Sequence, residues 1–248
     1  QAAGTIGDIG CYSLGVGKGM TIYGGGAVIA RNACMRQQLR NISAEIAPYQ
    51  GGGEVLRFLG LVGYYALYRP LGLKFAFGLP LRRKLKKNQL IAAVGDDCSV
   101  NFPLNKVGKL RKAIGARALK RLPDFIANTT EQAKYRKSLL ANISGISFMD
   151  DNAGDNGTWP YFLVLMPSQK ARDLALSKLW VSGLGVGRLF IHALPDYDFL
   201  KTILNHANTP NARDFASRTL TISNSHWLSD SQFIYICSVL EQSVTYKK

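Results

Sequence analysis

The sequence predicts an α/β protein. Apolar runs of strand length alternate with stretches of helical period, glycine and proline punctuate the junctions, and 47% of 248 residues are hydrophobic, enough for one large domain or two modest ones. Residues 1–30 read as strand, loop and strand. GDIGCYS forms the first strand, a glycine-rich loop carries Lys18, and Gly24-Gly25-Gly26 turns the chain back into the apolar strand Ala27 to Ala30. Asn32 caps a helix from Ala33 to Ile46, in which Met35, Leu39 and Ile42 recur at helical spacing. Pro48 and a Gly51-Gly52-Gly53 linker end it and mark a domain boundary.

Residues 54–81, EVLRFLGLVGYYALYRPLGLKFAFGLPL, are the most apolar segment. Arg57, Arg69 and Lys74 interrupt it and Pro70 breaks it, so it lacks the roughly 20 uninterrupted apolar residues of a spanning helix. It predicts two short amphipathic helices leading into the basic run RRKLKK at 82–87. An apolar face beside a polybasic patch suits peripheral contact with an anionic leaflet through residues 54–88, and packing against a protein partner is the other reading. Residues 106–142 are helical, with Pro123 near a helix start. WPYFLVLM at 159–166 is a strand, Lys170 to Val181 a helix with Leu174, Leu176 and Leu179 inward, and Leu220-Thr221-Ile222 a strand. Ser229-Asp230 opens a last helix over Ser231 to Gln242. The sequence thus divides into residues 1–50, an apolar and basic stretch at 51–103, and a region of long helices with a small α/β domain at 104–248.

Charge and cysteines exclude some functions. A formal charge of +15 from 31 basic and 16 acidic residues invites nucleic acid or an anionic membrane. The basic runs at 82–87 and 106–121 carry no zinc-finger, RNP or KH pattern, so a solvated basic face is favoured over specific nucleic-acid recognition. Cys11, Cys34, Cys98 and Cys237 form no CxxC pair and do not cluster with the three histidines. No metal is expected, and free thiols in a reducing cytosol are the simplest account. Gly183-Leu184-Gly185-Val186-Gly187 follows a helix, not a strand, so it is no dinucleotide fingerprint.

The chemistry concentrates at residues 11–30. Lys18 stands between Gly17 and Gly19, where the backbone can approach a bulky ligand. Lysine is the residue that bonds carbonyl compounds and pyridoxal phosphate as a Schiff base. Ser13 can hold a phosphate at the other end of such a cofactor. A glycine-rich surface turn that happens to carry a lysine explains the same spacing.

The run Gly7-Asp8-Ile9-Gly10-Cys11-Tyr12-Ser13, then Lys18, then Gly25-Gly26, resembles the pattern GDIGxFSFxxxK…GG of the DegT/StrS-type sugar aminotransferases. Gln1-Ala2-Ala3-Gly4 resembles the end of that family's DAAQAxG segment, KLRKAIGARALKRLPDFIANTTEQAKYRKSLL its long helical segment, and TPNARDFASRTLTISNSHWLSD its FPxAExLAxRxLxLPxHxxLS block. The resemblance covers most of residues 1–40 and 104–242. It implies a pyridoxal-phosphate-dependent transferase of fold type I: part of the large cofactor domain followed by the small C-terminal α/β domain. It also implies a C-terminal fragment, weakly active or inactive alone, whose ring-binding aspartate would precede Gln1.

By the same resemblance, Lys18 is the catalytic lysine that carries the cofactor, Ser13 holds its phosphate, and Gln1 sits beside its ring. The implied reaction moves an amino group, from glutamate in this family, to a keto sugar that is nucleotide-linked, for glycan biosynthesis. Relatives that dehydrate have histidine at the lysine position, so Lys18 favours aminotransfer. A homodimer is expected. Arg188 and His192 fall in a segment near the family's substrate, with a surface loop as the alternative, and His226 is read as structural. Gly15, Ser223 and Asn224 depart from the pattern, and no NxR phosphate-binding segment is recognisable near Asn101-Phe102-Pro103. The competing class is an inactive aminotransferase-fold protein acting as a basic module at a membrane surface.

Overall fold

The computed structural model describes residues 2–94, 104–201, 203–204 and 206–246. Gln1, Cys98 and Asn101-Phe102-Pro103 lie outside the described residues. In chain order the elements begin with β1 (Ile9–Ser13), β2 (Gly26–Ala30), α1 (Ala33–Ile46), α2 (Gly51–Leu67), α3 (Pro70–Leu73), a π-helical turn at Lys74–Gly78, α4 (Leu79–Lys86) and α5 (Leu90–Val94). They continue with α6 (Lys109–Leu119), α7 (Leu122–Ala141), β3 (Ser147–Phe148), β4 (Tyr161–Leu165), α8 (Gln169–Leu179), β5 (Val186–Gly187), α9 (Pro210–Arg218), β6 (Thr219–Ser223) and α10 (Asp230–Thr245). Contacts gather the described chain into two units, one from residues 1–66 and 99–126, the other from 67–98 and 127–248.

In the first unit β1 and β2 pair antiparallel, from Ile9 opposite Ala30 to Ser13 opposite Gly26. The strand, loop and strand expected at 1–30 are therefore present as a two-stranded ribbon. The Asn32 side chain caps α1 by accepting from the Met35 N–H at 2.8 Å, as its position ahead of the apolar repeat predicts. The linker expected at Gly51-Gly52-Gly53 is corrected: these glycines form the first turn of α2. Each costs about 1 kcal/mol of helix propensity relative to alanine. Two features of Glu54 oppose that cost. Glu54 adds a negative charge in the first turn, and its carboxylate is fixed by partners distant in sequence.

The second unit is built on a four-stranded sheet of order β3-β4-β6-β5, with every pair antiparallel. Alternation dictates its buried face. Phe162 and Val164 on β4 lie opposite Ile222 and Leu220 on β6, and all four are fully buried. Ala175, Leu176 and Leu179 of α8 and Phe233, Ile236, Val239 and Leu240 of α10 complete the same core; of the three leucines expected inward on α8, Leu174 is only half-buried. Both helices start at a side-chain cap. Ser168 Oγ accepts from the Ala171 N–H at 3.1 Å, and Ser229 and Gln232 form a reciprocal capping box. Gly183 and Gly185, at φ +85° and +71°, turn the chain from α8 toward β5.

The apolar segment forms two helical stretches broken at Pro70, as expected, the second containing the π-helical turn. Gly78 permits that turn to dock, because a Cβ there would stand 2.7 Å from the Val181 carbonyl oxygen. Among the described residues no helix is long and apolar enough to cross a membrane. Cys11, Cys34 and Cys237 are free thiols. Burial pushes the Cys237 thiol up to about 11, whereas Cys11 and Cys34 are exposed. Alkylation with iodoacetamide at pH 8 is therefore expected to modify Cys11 and Cys34 at least about tenfold faster than Cys237, read by peptide mass spectrometry.

Candidate active site

Ser13 ends β1, and Lys18 lies five residues on, at the crest of the loop that joins β1 to β2. Backbone bonds close this loop at its base. Leu14 donates to the Gly25 carbonyl at 3.0 Å, and the Leu14 carbonyl accepts from Ile22 at 3.1 Å and Gly24 at 3.3 Å. The Thr21 hydroxyl donates to the same carbonyl at 3.1 Å. Between these anchors the loop is open: Gly17, at φ +83°, has no heavy atom within 4 Å of where a Cβ would stand. Lys18 and Ser13 are both exposed. Among the described residues the Lys18 ammonium has no hydrogen-bond or ion-pair partner, and Ser13 Oγ accepts only a 3.4 Å bond from the Gly15 N–H. A primary amine on a glycine-opened loop, five residues past a hydroxyl whose proton is not donated among the described residues, fits a ligand with a carbonyl at one end and a phosphate at the other.

The returning limb of the loop is held from below by groups the sequence reading did not single out. The Arg111 guanidinium donates from Nη1 to the carbonyls of Ile22 and Gly24, each at 2.9 Å. Its other edge grips Glu54, with Nε 3.0 Å from Oε2 and Nη2 on Oε1, and the Gly108 N–H donates to Oε2 at 2.7 Å. Arg111 is 1% exposed and Glu54 7%. The bond from Arg111 holds the Glu54 carboxyl below the usual carboxylate range, with the Gly108 N–H and the charges of Arg111 and Arg57 reinforcing it against burial. Tyr23, in the left-handed region at φ +61°, packs its ring against Tyr64 at 6.2 Å between centroids. Gly60 admits that ring, since a Cβ there would stand 2.3 Å from Tyr23 Cε1. A signal for Glu54 was in the sequence: it is the only acidic residue between Glu45 and Asp96.

The lowered Glu54 pKa ties stability to pH. A carboxylate lowered in the folded state adds stability that is fully present above its unfolded value, near 4.5, and lost as pH falls through the lower folded value. Amide exchange at Ile22 and Gly24 is expected to accelerate in that acid window beyond the change in intrinsic exchange rate, and Glu54→Gln is expected to flatten the dependence. Identical acid profiles in the two proteins would refute the assignment.

A family model for the DegT/DnrJ/EryC1/StrS aminotransferases matches residues 1–241. The chain belongs to this family. The DegT relatives it resembles include the dTDP-4-amino-4,6-dideoxy-D-glucose transaminase of Shigella dysenteriae, 23% identical over 151 residues, which are 59% of this chain and 41% of that one. Two solved structures share the fold. The aminotransferase TlmJ from Streptoalloteichus hindustanus matches at TM-score 0.62 with 18% identity, covering 98% of this chain and 54% of that one. The E. coli GDP-4-keto-6-deoxy-D-mannose-3-dehydratase with bound hydrated PLP matches at 0.60 with 17% identity, covering 97% and 56%. The chain spans about half the length of the relatives it matches.

Of the residues singled out from the DegT pattern, Ser13 at the end of β1 and Lys18 on the loop after it lie in one unit, and Gln1 lies outside the described residues. Arg188 serves its own loop, donating to the carbonyls of Phe190 at 3.2 Å and Ile191 at 2.6 Å; burial, with the nearby Arg172 charge, pushes it down to about 10. His192 meets Tyr197 edge to face. His226 lies against Trp227 at 4.5 Å between ring centroids, and burial lowers its pKa.

Proposed function

We propose that this chain supplies the lysine-bearing part of a pyridoxal-phosphate-dependent aminotransferase acting on a keto sugar, nucleotide-linked as in the names of its dTDP-sugar and GDP-sugar relatives. The observation that carries the reading is Lys18: an amine with no hydrogen-bond or ion-pair partner among the described residues, on an open glycine loop, five residues past a serine hydroxyl at the end of a strand. When bound, the cofactor supplies an electron sink and carries the amino group between donor and acceptor. Lys18 would hold it covalently and, once released, move a proton at its Nζ between the substrate carbon and the cofactor. Ser13 would donate its hydroxyl to the phosphate, and Gln1 would flank the ring. Lysine at position 18 supports aminotransfer over dehydration. Glutamate as donor, a glycan pathway as destination and a homodimer as the working assembly belong to the same reading by resemblance to the family.

In this reading residues 1–50 are the end of the cofactor domain of fold type I, 51–103 an insertion or linker, and 104–248 the small domain with its long helices. The exposed ribbon supports the first part. Ile9 and Val28 stand on one face of β1 and β2, Tyr12 and Ile29 on the other, and all four are exposed. A two-stranded ribbon with apolar groups on both faces is what a larger sheet would cover.

The test is chemical trapping. Incubating the chain with pyridoxal phosphate, reducing with borohydride and mapping the adduct is expected to place it selectively on Lys18. Labelling spread over the surface lysines, with no preference for Lys18, would sink the reading.

A second reading concerns the segment at 70–87. Leu71, Phe75 and Leu79 recur every four residues and are 73%, 63% and 45% exposed, while Leu81 on the opposite side is buried. The helix then runs into Arg82, Arg83, Lys84, Lys86 and Lys87, all exposed. An apolar stripe ending in cations supports shallow contact with an anionic leaflet. Flotation with vesicles containing phosphatidylserine is expected at low salt, to weaken with salt, and to be lost when Arg82, Arg83, Lys84, Lys86 and Lys87 are changed to glutamine. Equal flotation with neutral vesicles would defeat it.

A further inference from the structure

Arg111 is fully buried, yet its donors serve the backbone of a loop whose crest is open to solvent. That arrangement is unlike an ordinary buried ion pair. One guanidinium edge is occupied by the Glu54 carboxylate and the other by two carbonyls, those of Ile22 and Gly24, spaced two residues apart on the limb that returns from Lys18. A planar fork can span a carboxylate on one side and two carbonyls on the other, whereas a lysine ammonium cannot fill all these positions at once. Glu54 is in turn fixed by the Gly108 N–H, so the fork's own orientation is set by two elements, the first turn of α2 and the entry to α6. On the same limb, Gly25 at φ +99° passes so close to Val107 that a Cβ would stand 2.9 Å from Val107 Cγ2. Tyr23, between the two clamped carbonyls, is seated on α2 at Gly60 and Tyr64.

We propose that Glu54 and Arg111 are positioning residues for Lys18: together they clamp the returning limb of its loop and so fix where the crest carries the amine relative to Ser13. The proposal rests on the reading of Lys18 as the cofactor lysine. It gives α2, at the start of the apolar and basic stretch 51–103, a direct part in the site. The limb is tied to the outgoing strand through Leu14, whose carbonyl accepts from Ile22 and Gly24 and whose N–H donates to Gly25. Releasing the clamp therefore loosens the closure at the loop's base as well as its crest.

The experiment reads two quantities on the whole chain. Amide exchange at Leu14, Ile22 and Gly24 reports closure of the loop, and the share of borohydride-trapped pyridoxal phosphate found on Lys18 reports the placement of its amine. In Arg111→Gln the three loop amides are expected to exchange about tenfold faster or more, while amides of β4 and β6 stay as they were. Lys18's share of the trapped cofactor is expected to fall to that of an ordinary surface lysine, with partial recovery in Arg111→Lys. Unchanged loop protection in a folded Arg111→Gln overturns the proposal, as does loosened protection with Lys18 selectivity intact. Should Arg111→Gln not fold, Glu54→Gln is read in the same way, since it keeps the size of the side chain and leaves Arg111 in place. A wild-type chain that never labels Lys18 selectively defeats the cofactor reading instead, and the exchange data then still decide whether the clamp holds the loop.

Discussion

Lys18→Ala is expected to abolish selective attachment of pyridoxal phosphate to the chain, with no measurable change in its thermal midpoint. The two halves of that expectation have separate grounds. Covalent capture needs a primary amine, and the nearest replacement that keeps the charge, Lys18→Arg, is expected to fail equally because a guanidinium does not give up its proton near neutrality. Stability is untouched because the Lys18 side chain is exposed and, among the described residues, makes no hydrogen bond or ion pair. Surface substitutions of that kind usually stay within about 0.5 kcal/mol. Ser13→Ala is expected to retain covalent capture but weaken it about tenfold, the scale of one hydrogen bond to a charged phosphate. Peptide mapping after reduction and a thermal melt decide all three. Retained selectivity at residues 11–30 in Lys18→Ala would place the chemistry elsewhere.

Asn224→Ala is expected to destabilise the second unit by about 3 kcal/mol. Asn224 is 3% exposed, and its amide uses both ends. Nδ2 donates to the carbonyls of Thr129 at 3.0 Å and Trp159 at 2.9 Å. Oδ1 accepts from Gln132 Nε2 at 3.0 Å and from Arg136 Nη1 at 3.1 Å. One side chain thereby joins α7 to the strand β4 at its entry and to β6 at its end. Removing it strips a partner from Arg136, which is fully buried and also donates to the Ser225 and Leu228 carbonyls. An unpaired buried donor on a cation is among the costliest losses a single substitution produces. Urea unfolding measures it. A loss below about 1 kcal/mol would mean that water replaces the amide at little cost.

Asn32, Ser229 and Pro123 announce helix starts because capping is local: the residue that accepts or lacks the amide lies within one turn of the element it starts. Phe162, Val164, Leu220 and Ile222 announce a buried sheet face because alternation is local as well. Gly51-Gly52-Gly53 misled, since glycine propensity argues for a linker while the partners that hold the first turn of α2, Gly108 and Arg111, stand more than fifty residues away. Asn224 stood out only as a departure from the family pattern. Nothing near it in sequence shows that it joins three elements.

By itself the sequence determined the lysine loop between its two strands, the family, the strands at 159–166 and 220–222 and the helices beside them, all of which depend on short-range pattern and residue type. Only the tertiary structure decided what holds that loop. Arg111 reaches the Ile22 carbonyl on the Lys18 limb across a separation of 89 residues and is held there by Glu54, 57 residues away from it, and a buried charge declares its role only when the groups that neutralise it have been brought together by folding.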